Sequence, residues 1–143
     1  MRIAKETLNY LNQSIPDIRY EIGGILGAKN DVVSFFVLDG IDSPAQRPCS
    51  YMPNVDKLNH QIALWQKNNI TFTGLFHTHF ANVRTLSNGD KEYIITIMKA
   101  MPPHITELYF PIFILPKREF ICYIAKKNNN SIEIIQDTLS IES

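Results

Sequence analysis

Hydrophobic residues recur along the chain at two spacings, one typical of helices and one typical of strands. Apolar residues three or four positions apart predict three amphipathic helices. Short runs rich in β-branched and aromatic residues, bounded by turn formers, predict the strands. The predicted helices are Ile3–Gln13, Asn54–Asn68 and Ser87–Met101. The predicted strands are Tyr20–Leu26, Val32–Leu38, Ile70–His79, Tyr109–Leu115, Phe120–Ala125 and Ser131–Gln136.

The order of these elements predicts a mixed α/β (α+β) fold with a largely antiparallel or mixed central sheet and about three flanking helices. The chain has 143 residues, a length that suits one hydrophobic core, so we expect residues 1–143 to form a single domain. The segment Asp39–Pro53 contains three prolines and fits no periodic pattern. Because long loops in compact domains are usually functional, we expect this segment to clamp a substrate.

Composition narrows the possible partners. Lys plus Arg and Asp plus Glu both number 14, so the formal net charge is zero. The basic excess of a general nucleic-acid or anionic-membrane binder is therefore missing, and we expect neither partner. The N-terminus lacks the apolar stretch of a signal peptide, and no run of roughly 18 apolar residues suggests a membrane span. These features predict a soluble, cytoplasmic protein. The two cysteines match neither a disulfide scaffold nor a zinc knuckle.

The segment His77–Asp90 (HTHFANVRTLSNGD) carries the candidate chemistry. His77 and His79 are two positions apart on a predicted strand, so their side chains leave the same face of the sheet. Asp90 follows in the first turn of a predicted helix. Two histidines and one aspartate suit a catalytic zinc site, which keeps its fourth position for water. A further carboxylate is then needed to take the proton from that water, and Glu21 is the candidate.

Each of these residues also has a simpler interpretation. Ser87 and Asp90 have the spacing of a helix-capping box, which requires no metal. The two histidines alone fit buried, hydrogen-bonded core residues, and Glu21 alone fits an ordinary strand-end glutamate. The His-x-His, Ser and Asp spacing arises by chance in about three of ten thousand chains of this composition. The combined pattern therefore favours a metal site, and a capped helix would hold Asp90 in place.

The pattern Glu21, His77, His79, Ser87 and Asp90 resembles the JAMM motif of the MPN-plus zinc metalloproteases. The resemblance extends to the order of elements along the chain, and implies a single MPN-type catalytic domain like those of prokaryotic members. It implies that His77, His79 and Asp90 bind one Zn²⁺ with its catalytic water. It further implies that Glu21 activates the water and that Ser87 stabilises the oxyanion. One position departs from the family: Phe80 stands where the family usually has proline, which concerns the shape of the substrate groove.

The resemblance implies hydrolysis of a peptide or isopeptide bond at the C-terminal tail of a ubiquitin-like or sulfur-carrier protein, a deubiquitinase-like activity. Two other functions stay open at this stage, a non-catalytic scaffold or adaptor and a zinc amidase acting on a small molecule. The sequence does not identify the substrate. It also leaves open whether the chain forms a homodimer or needs a partner protein.

Overall fold

Residues 1–17, 20–41, 51 and 53–143 are described by the computed structural model, and this part of the chain forms three helices and nine strands. The helices are α1 (Lys5–Ser14), α2 (Val55–Lys67) and α3 (Asn88–Ala100). The strands are β1 (Arg2–Ala4), β2 (Gly23–Lys29), β3 (Val32–Asp39), β4 (Thr71–His79), β5 (Glu107–Tyr109), β6 (Ile112–Ile114), β7 (Glu119–Asn128), β8 (Ser131–Asp137) and β9 (Ser140–Glu142).

All nine strands belong to one sheet of mixed direction. Its order is β5-β7-β6-β4-β2-β3-β1-β9, and β8 pairs with β7 outside this path. The β2–β3, β2–β4, β5–β7, β6–β7 and β7–β8 pairs are antiparallel. The β1–β3, β1–β9, β4–β5 and β4–β6 pairs are parallel. The predicted class, a mixed sheet flanked by about three helices, is confirmed.

The predicted strand Tyr109–Leu115 is wrong as one element, because it is interrupted at Pro111. Strands β5 and β6 both lie between β4 and β7 and keep one register along β4, with Gly74 opposite Tyr109 and His77 opposite Ile112. Proline has no N–H to give to the ladder, so pairing breaks where it stands. Its carbonyl oxygen still accepts a hydrogen bond from the His77 amide at 3.3 Å.

The predicted helix Ile3–Gln13 is also wrong at its start. Residues Arg2–Ala4 form β1, and the helix begins only at Lys5. Ile3 lies opposite Val33 of β3 and Ile141 of β9, so tertiary pairing decides its conformation. Strand β9 was not predicted, because three residues are too few to show a periodic pattern.

Strand β4 is covered on both faces, as its apolar sequence predicts. Phe76 packs in the core cluster that includes Leu11 of α1. Leu75 packs in the opposite cluster, with Trp65 of α2 and Ile94 of α3. Side chains alternate along a strand, so His77 and His79 share the face of Leu75 and lie on the side of α2 and α3.

Most of the segment Asp39–Pro53 lies outside the described residues, and Cys49 lies there too. The expectation that this segment clamps a substrate therefore stays a prediction. The described helices are all too short or too polar to cross a bilayer.

Candidate metal centre

The two histidines at the end of β4 turn their Nε2 atoms toward each other and toward one carboxylate. The two Nε2 atoms are 3.1 Å apart. The Nε2 of His77 lies 3.2 Å from Asp90 Oδ1, and the Nε2 of His79 lies 3.0 Å from Asp90 Oδ2. His77 and His79 are only 4% and 7% exposed. The structure therefore brings the three predicted ligands together, with each histidine facing a different oxygen of the same carboxylate.

The distances within this cluster of His77, His79 and Asp90 suit a metal ion. Zinc bonds of about 2.0–2.1 Å in a tetrahedral arrangement separate neighbouring ligand atoms by about 3.3 Å. The two Nε2 atoms are 3.1 Å apart, and each lies 3.0–3.2 Å from the carboxylate oxygen that it faces, distances close to that value. His77, His79 and Asp90 thus lie close enough together to bind one metal ion.

A turn after β4 sets the orientation of His79. Ala81 and Asn82 have φ of 52° and 57°, and the Val83 amide donates to the Phe80 carbonyl at 3.0 Å. Two successive residues in the left-handed region define a type I′ turn. The Nδ1 of His79 lies 3.1 Å from the Val83 carbonyl oxygen and donates to it. Phe80, where the resembled family has proline, is therefore the first residue of this turn.

This hydrogen bond determines which lone pair His79 can offer. When its Nδ1 carries the proton, a neutral imidazole presents only a lone pair at Nε2. That lone pair faces a carboxylate oxygen, and two acceptors at 3.0 Å repel each other without a cation between them. A metal ion, or a second proton on the ring, removes the repulsion. The donor set of the site therefore fits a bound metal ion.

The first turn of α3 orients the carboxylate. Ser87 is the N-cap, and its Oγ accepts a hydrogen bond from the Asp90 amide at 3.0 Å. In return, Asp90 Oδ2 accepts a hydrogen bond from the Ser87 amide at 2.9 Å. This reciprocal capping box restricts the carboxylate rotamer. The capping and metal-binding interpretations of this pair are thus geometrically compatible.

The pairing register of β2 and β4 brings Glu21 close to the two histidines, although Glu21 and His77 are 56 positions apart in the sequence. Gly23 lies opposite His77 in the antiparallel β2–β4 pair. The pairing continues outward, because the Thr78 amide donates to the Ile22 carbonyl at 2.9 Å and the Ile22 amide donates to Thr78 Oγ1 at 3.0 Å. Glu21 lies two positions before Gly23, and His79 lies two positions after His77. In this antiparallel register Glu21 therefore comes opposite His79.

These groups surround one cavity of about 650 Å³. Its lining combines the polar groups above with apolar side chains contributed by the segment before α2, the turn after β4 and helix α3. The residues that line it are Glu21, Tyr51, Pro53, His77, His79, Phe80, Val83, Thr85, Ser87, Gly89, Asp90 and Tyr93. His60 and His104 are exposed elsewhere, as the sequence predicted for His60.

The two carboxylates of the cavity have pKa values shifted in opposite directions. Burial alone would raise the pKa of Asp90, but in the metal-free protein hydrogen bonds donated by Nε2–H groups of His77 and His79 outweigh burial and hold that pKa well below its usual range. Burial raises the pKa of Glu21 to about 7, and the negative charge of Asp90 adds to this increase. Asp90 is therefore the permanent anion of the site, whereas Glu21 gains and releases a proton near neutral pH.

Sequence reasoning missed two tyrosines in the cavity wall, Tyr51 and Tyr93. Tyr93 lies three positions after Asp90, so a helical-face argument would have found it. Its ring stands edge-on to that of His77, with centroids 6.4 Å apart. Its hydroxyl oxygen is buried and has no hydrogen-bond partner among the residues that the structure describes. Tyr51 lies in a segment without a periodic pattern, where no sequence signal singled it out.

Tyr93→Phe is expected to stabilise the metal-free protein by about 1–2 kcal/mol, because a buried hydroxyl without a partner loses its hydration and gains no hydrogen bond in return. Urea unfolding of the metal-free variant and the wild type at pH 7 measures this difference. Tyr109→Phe, at a partly buried tyrosine outside the cavity, is the control. A Tyr93→Phe protein less stable than the wild type would show that the hydroxyl does have a partner.

Comparison with known proteins gives similarity at the level of structure. Neither the family models nor the curated proteins that were searched match the chain. The solution structure of protein DSY2949 from Desulfitobacterium hafniense is similar, with 18% identity, a TM-score of 0.68, and coverage of 99% of this chain and 93% of that one. The crystal structure of AF2198, a JAB1/MPN domain protein from Archaeoglobus fulgidus, is similar over 100% of both chains, with 14% identity and a TM-score of 0.55. The chain therefore has an MPN-like fold.

Proposed function

We propose that this protein is a zinc-dependent hydrolase of peptide or isopeptide bonds. The observation that carries the proposal is the cluster of His77, His79 and Asp90 inside a cavity that Glu21 also lines. The two Nε2 atoms of this cluster lie 3.1 Å apart, and each lies 3.0–3.2 Å from an oxygen of the Asp90 carboxylate. The MPN-like fold and the JAMM-like spacing of the same residues support it. Burial and the capping box hold the three ligands in place, as an open catalytic site requires.

Zinc, when bound, supplies a Lewis acid that polarises the scissile carbonyl and lowers the pKa of water to about 7. His77 and His79 would hold the ion through their Nε2 atoms, and Asp90 would hold it through its carboxylate. The Val83 carbonyl keeps the Nε2 lone pair of His79 available by accepting from Nδ1 at 3.1 Å. The Ser87 amide restrains the carboxylate of Asp90 at 2.9 Å.

Glu21 acts as the proton carrier in this proposal. Its carboxylate takes a proton from the attacking water and delivers it to the leaving amine. A partly buried carboxyl with a pKa raised to about 7 suits both halves of this task, because it accepts and releases a proton near neutral pH. The chain places Glu21 opposite His79 without making it one of the three close donors.

Ser87 stabilises the oxyanion that develops on the scissile carbonyl. Its Oγ uses a lone pair to accept the hydrogen bond from the Asp90 amide. A serine hydroxyl has one hydrogen and two lone pairs, so capping leaves the O–H group for another acceptor. Ser87 is exposed and lines the cavity, where a substrate carbonyl would accept this hydrogen bond.

The substrate that we propose is the extended C-terminal tail of a ubiquitin-like or sulfur-carrier protein in the cytoplasm. The support is the JAMM-like motif together with a cavity whose lining includes the apolar side chains of Phe80, Val83 and Pro53. Val83 is 48% exposed at this wall, which suits contact with a partner chain.

The test uses zinc-loaded protein and two substrate classes. One class consists of linear fusions in which ubiquitin or a bacterial sulfur-carrier protein precedes a reporter, and the other consists of short acetylated peptide amides. Mass spectrometry of the products locates the bond that is cut. Cleavage after the terminal glycine of a fusion supports the proposal, and cleavage of short amides alone would indicate a small-molecule amidase. Zinc-loaded protein that cuts neither class would instead indicate a scaffold.

Ser87→Ala is expected to slow turnover by about 10²–10³-fold, the usual effect of losing one oxyanion donor. It should also destabilise the fold by about 1 kcal/mol, because α3 loses its N-cap. Zinc content, kcat and urea unfolding are measured together. Ser87→Thr keeps a hydroxyl at the N-cap and should recover much of both properties. A Ser87→Ala enzyme with wild-type kcat and only the stability loss would limit Ser87 to capping.

A further inference from the structure

Three neighbouring strands place Asp39, Gly23 and His77 in one row. Gly23 of β2 lies opposite Asp39 of β3 on one side and opposite His77 of β4 on the other. Paired residues point to the same face of a sheet, so all three face the candidate metal centre. Adjacent strands are about 4.8 Å apart, so Asp39 lies about 10 Å from His77 across the row. The middle position, Gly23, contributes no side chain.

The ring of Tyr51 occupies the space above Gly23. A Cβ atom at Gly23 would lie 2.5 Å from Tyr51 Cε2 and 2.8 Å from Tyr51 Cδ2. It would also lie 2.4 Å from the Phe76 carbonyl oxygen. Any other residue at this position would therefore displace the ring. Glycine at position 23 is thus what allows an aromatic side chain from a distant segment to pack beside His77.

The buried carboxylate of Asp39 holds this ring. Asp39 is 3% exposed, and its Oδ2 accepts hydrogen bonds from the Tyr51 hydroxyl at 2.7 Å and from the Asn54 amide at 2.9 Å. Its Oδ1 lies 3.7 Å from Lys57 Nζ. A buried carboxylate is retained only where hydrogen bonds replace its hydration. Here those bonds join the end of β3 to Tyr51 and to the start of α2.

Tyr51 is also part of the candidate site itself. It is 8% exposed, and it lines the cavity together with Pro53 and the three close donors. Its ring therefore takes up room beside His77 that a ligand bound at the centre would otherwise use. A wall of this kind limits the size of the group that a ligand can place next to the histidine.

We propose that Asp39 is a positioning residue for the candidate site and that Tyr51 is the specificity-determining residue that it positions. The carboxylate holds the Tyr51 ring over Gly23, and the ring excludes bulky groups from the part of the cavity beside His77. The selectivity half of this inference rests on the proposed metal centre. The positioning half concerns the protein alone and can be tested without metal.

The first experiment uses metal-free, ¹⁵N-labelled protein. Amide hydrogen exchange is measured by NMR at residues 51 and 54–57 in the wild type, Asp39→Asn and Asp56→Asn. Asp39→Asn should accelerate exchange of the Asn54 amide at least about tenfold, because that amide loses its charged acceptor. Asp56→Asn, at an exposed acid of the same helix turn, should leave it unchanged. Wild-type exchange at Asn54 in a folded Asp39→Asn protein would overturn the positioning role.

The second experiment measures selectivity without turnover. Co²⁺ is loaded into the wild type, Tyr51→Ala, Tyr51→Phe and Asp39→Asn, and visible absorption reports the Kd of acetohydroxamate and of benzohydroxamate. Tyr51→Ala should shift the ratio of the two Kd values toward the bulky ligand by about tenfold, the usual effect of opening a pocket. Asp39→Asn should shift this ratio in the same direction. Tyr51→Phe, which keeps the ring, should shift the ratio less than Tyr51→Ala does.

The two experiments separate the possible failures. A wild-type Kd ratio in both Tyr51→Ala and Asp39→Asn, with Co²⁺ bound, would overturn the selectivity role while leaving the metal centre intact. Failure of all four proteins to bind Co²⁺ would instead contradict the proposed function and the selectivity that rests on it. The exchange result in metal-free protein would still decide whether Asp39 positions this wall.

Discussion

His77→Ala is expected to lower zinc affinity by more than about 100-fold and to reduce turnover to background. Loss of even an outer partner of a metal ligand costs about 10–100-fold in affinity, and His77 is one of the three close donors found among the described residues. The remaining pair, His79 and Asp90, would hold the ion too weakly to retain it through desalting. Competition with a chromogenic chelator measures the affinity, and cleavage of the best fusion substrate measures turnover.

The matched control is His60→Ala, because His60 is an exposed histidine on α2 outside the cavity. This variant should keep wild-type zinc affinity and kcat. His77 is 4% exposed, so circular dichroism of the metal-free proteins must show that His77→Ala still folds, and His79→Ala provides a second ligand variant. Wild-type zinc affinity in both folded ligand variants would place the metal elsewhere.

Glu21→Gln, like Glu21→Ala, is expected to keep zinc and to lose about 10²–10⁴-fold in kcat, the usual contribution of a general base. Glutamine preserves the size of the side chain but cannot take a proton from water. Because Glu21 is not one of the three close donors, metal content should match the wild type. Zinc stoichiometry and kcat are measured on the same preparations.

Glu6→Gln, at an exposed glutamate of α1, controls for the loss of one negative charge. Two outcomes would contradict the assignment of Glu21. Loss of zinc in Glu21→Gln would make Glu21 a ligand, and unchanged kcat would remove it from the mechanism. A loss of kcat with zinc retained would distinguish proton transfer from metal binding.

The cluster of His77, His79 and Asp90 could be predicted from sequence because its geometry is local. Alternation along a strand places His77 and His79 on one face. A helix that begins at Asn88 brings Asp90, 11 positions after His79, back toward them. The spacing of Ser87 and Asp90 also predicted the capping box that the structure contains. Short-range periodicity determines all of these relationships.

The place of Glu21 could not be predicted from periodicity, because it depends on the register between β2 and β4. No pattern within either strand specifies which residue lies opposite His77. The choice of Glu21 rested on the chemical need for a further carboxylate and on the family resemblance. The same reason applies to β1 and β9, whose three-residue strands pair residues near the two ends of the chain. Long-range pairing overrides local preference in both cases.

The wall formed by Tyr51 illustrates another limit of sequence reasoning. The ring of Tyr51 approaches the backbone closely at Gly23. This contact could not be predicted from the sequence, because Tyr51 lies in a segment without a periodic pattern. Its position depends on the buried carboxylate of Asp39, and burial of a charge cannot be read from local sequence.

The measurement that tests the central claim most directly is the metal content of purified, tag-free protein. The protein is incubated with Zn²⁺, desalted and analysed by inductively coupled plasma mass spectrometry, with His77→Ala treated in parallel. A catalytic site of three donors predicts about one zinc per chain in the wild type and almost none in the variant. A wild-type protein that holds no zinc after this treatment would contradict the metal centre, and with it the proposed hydrolase.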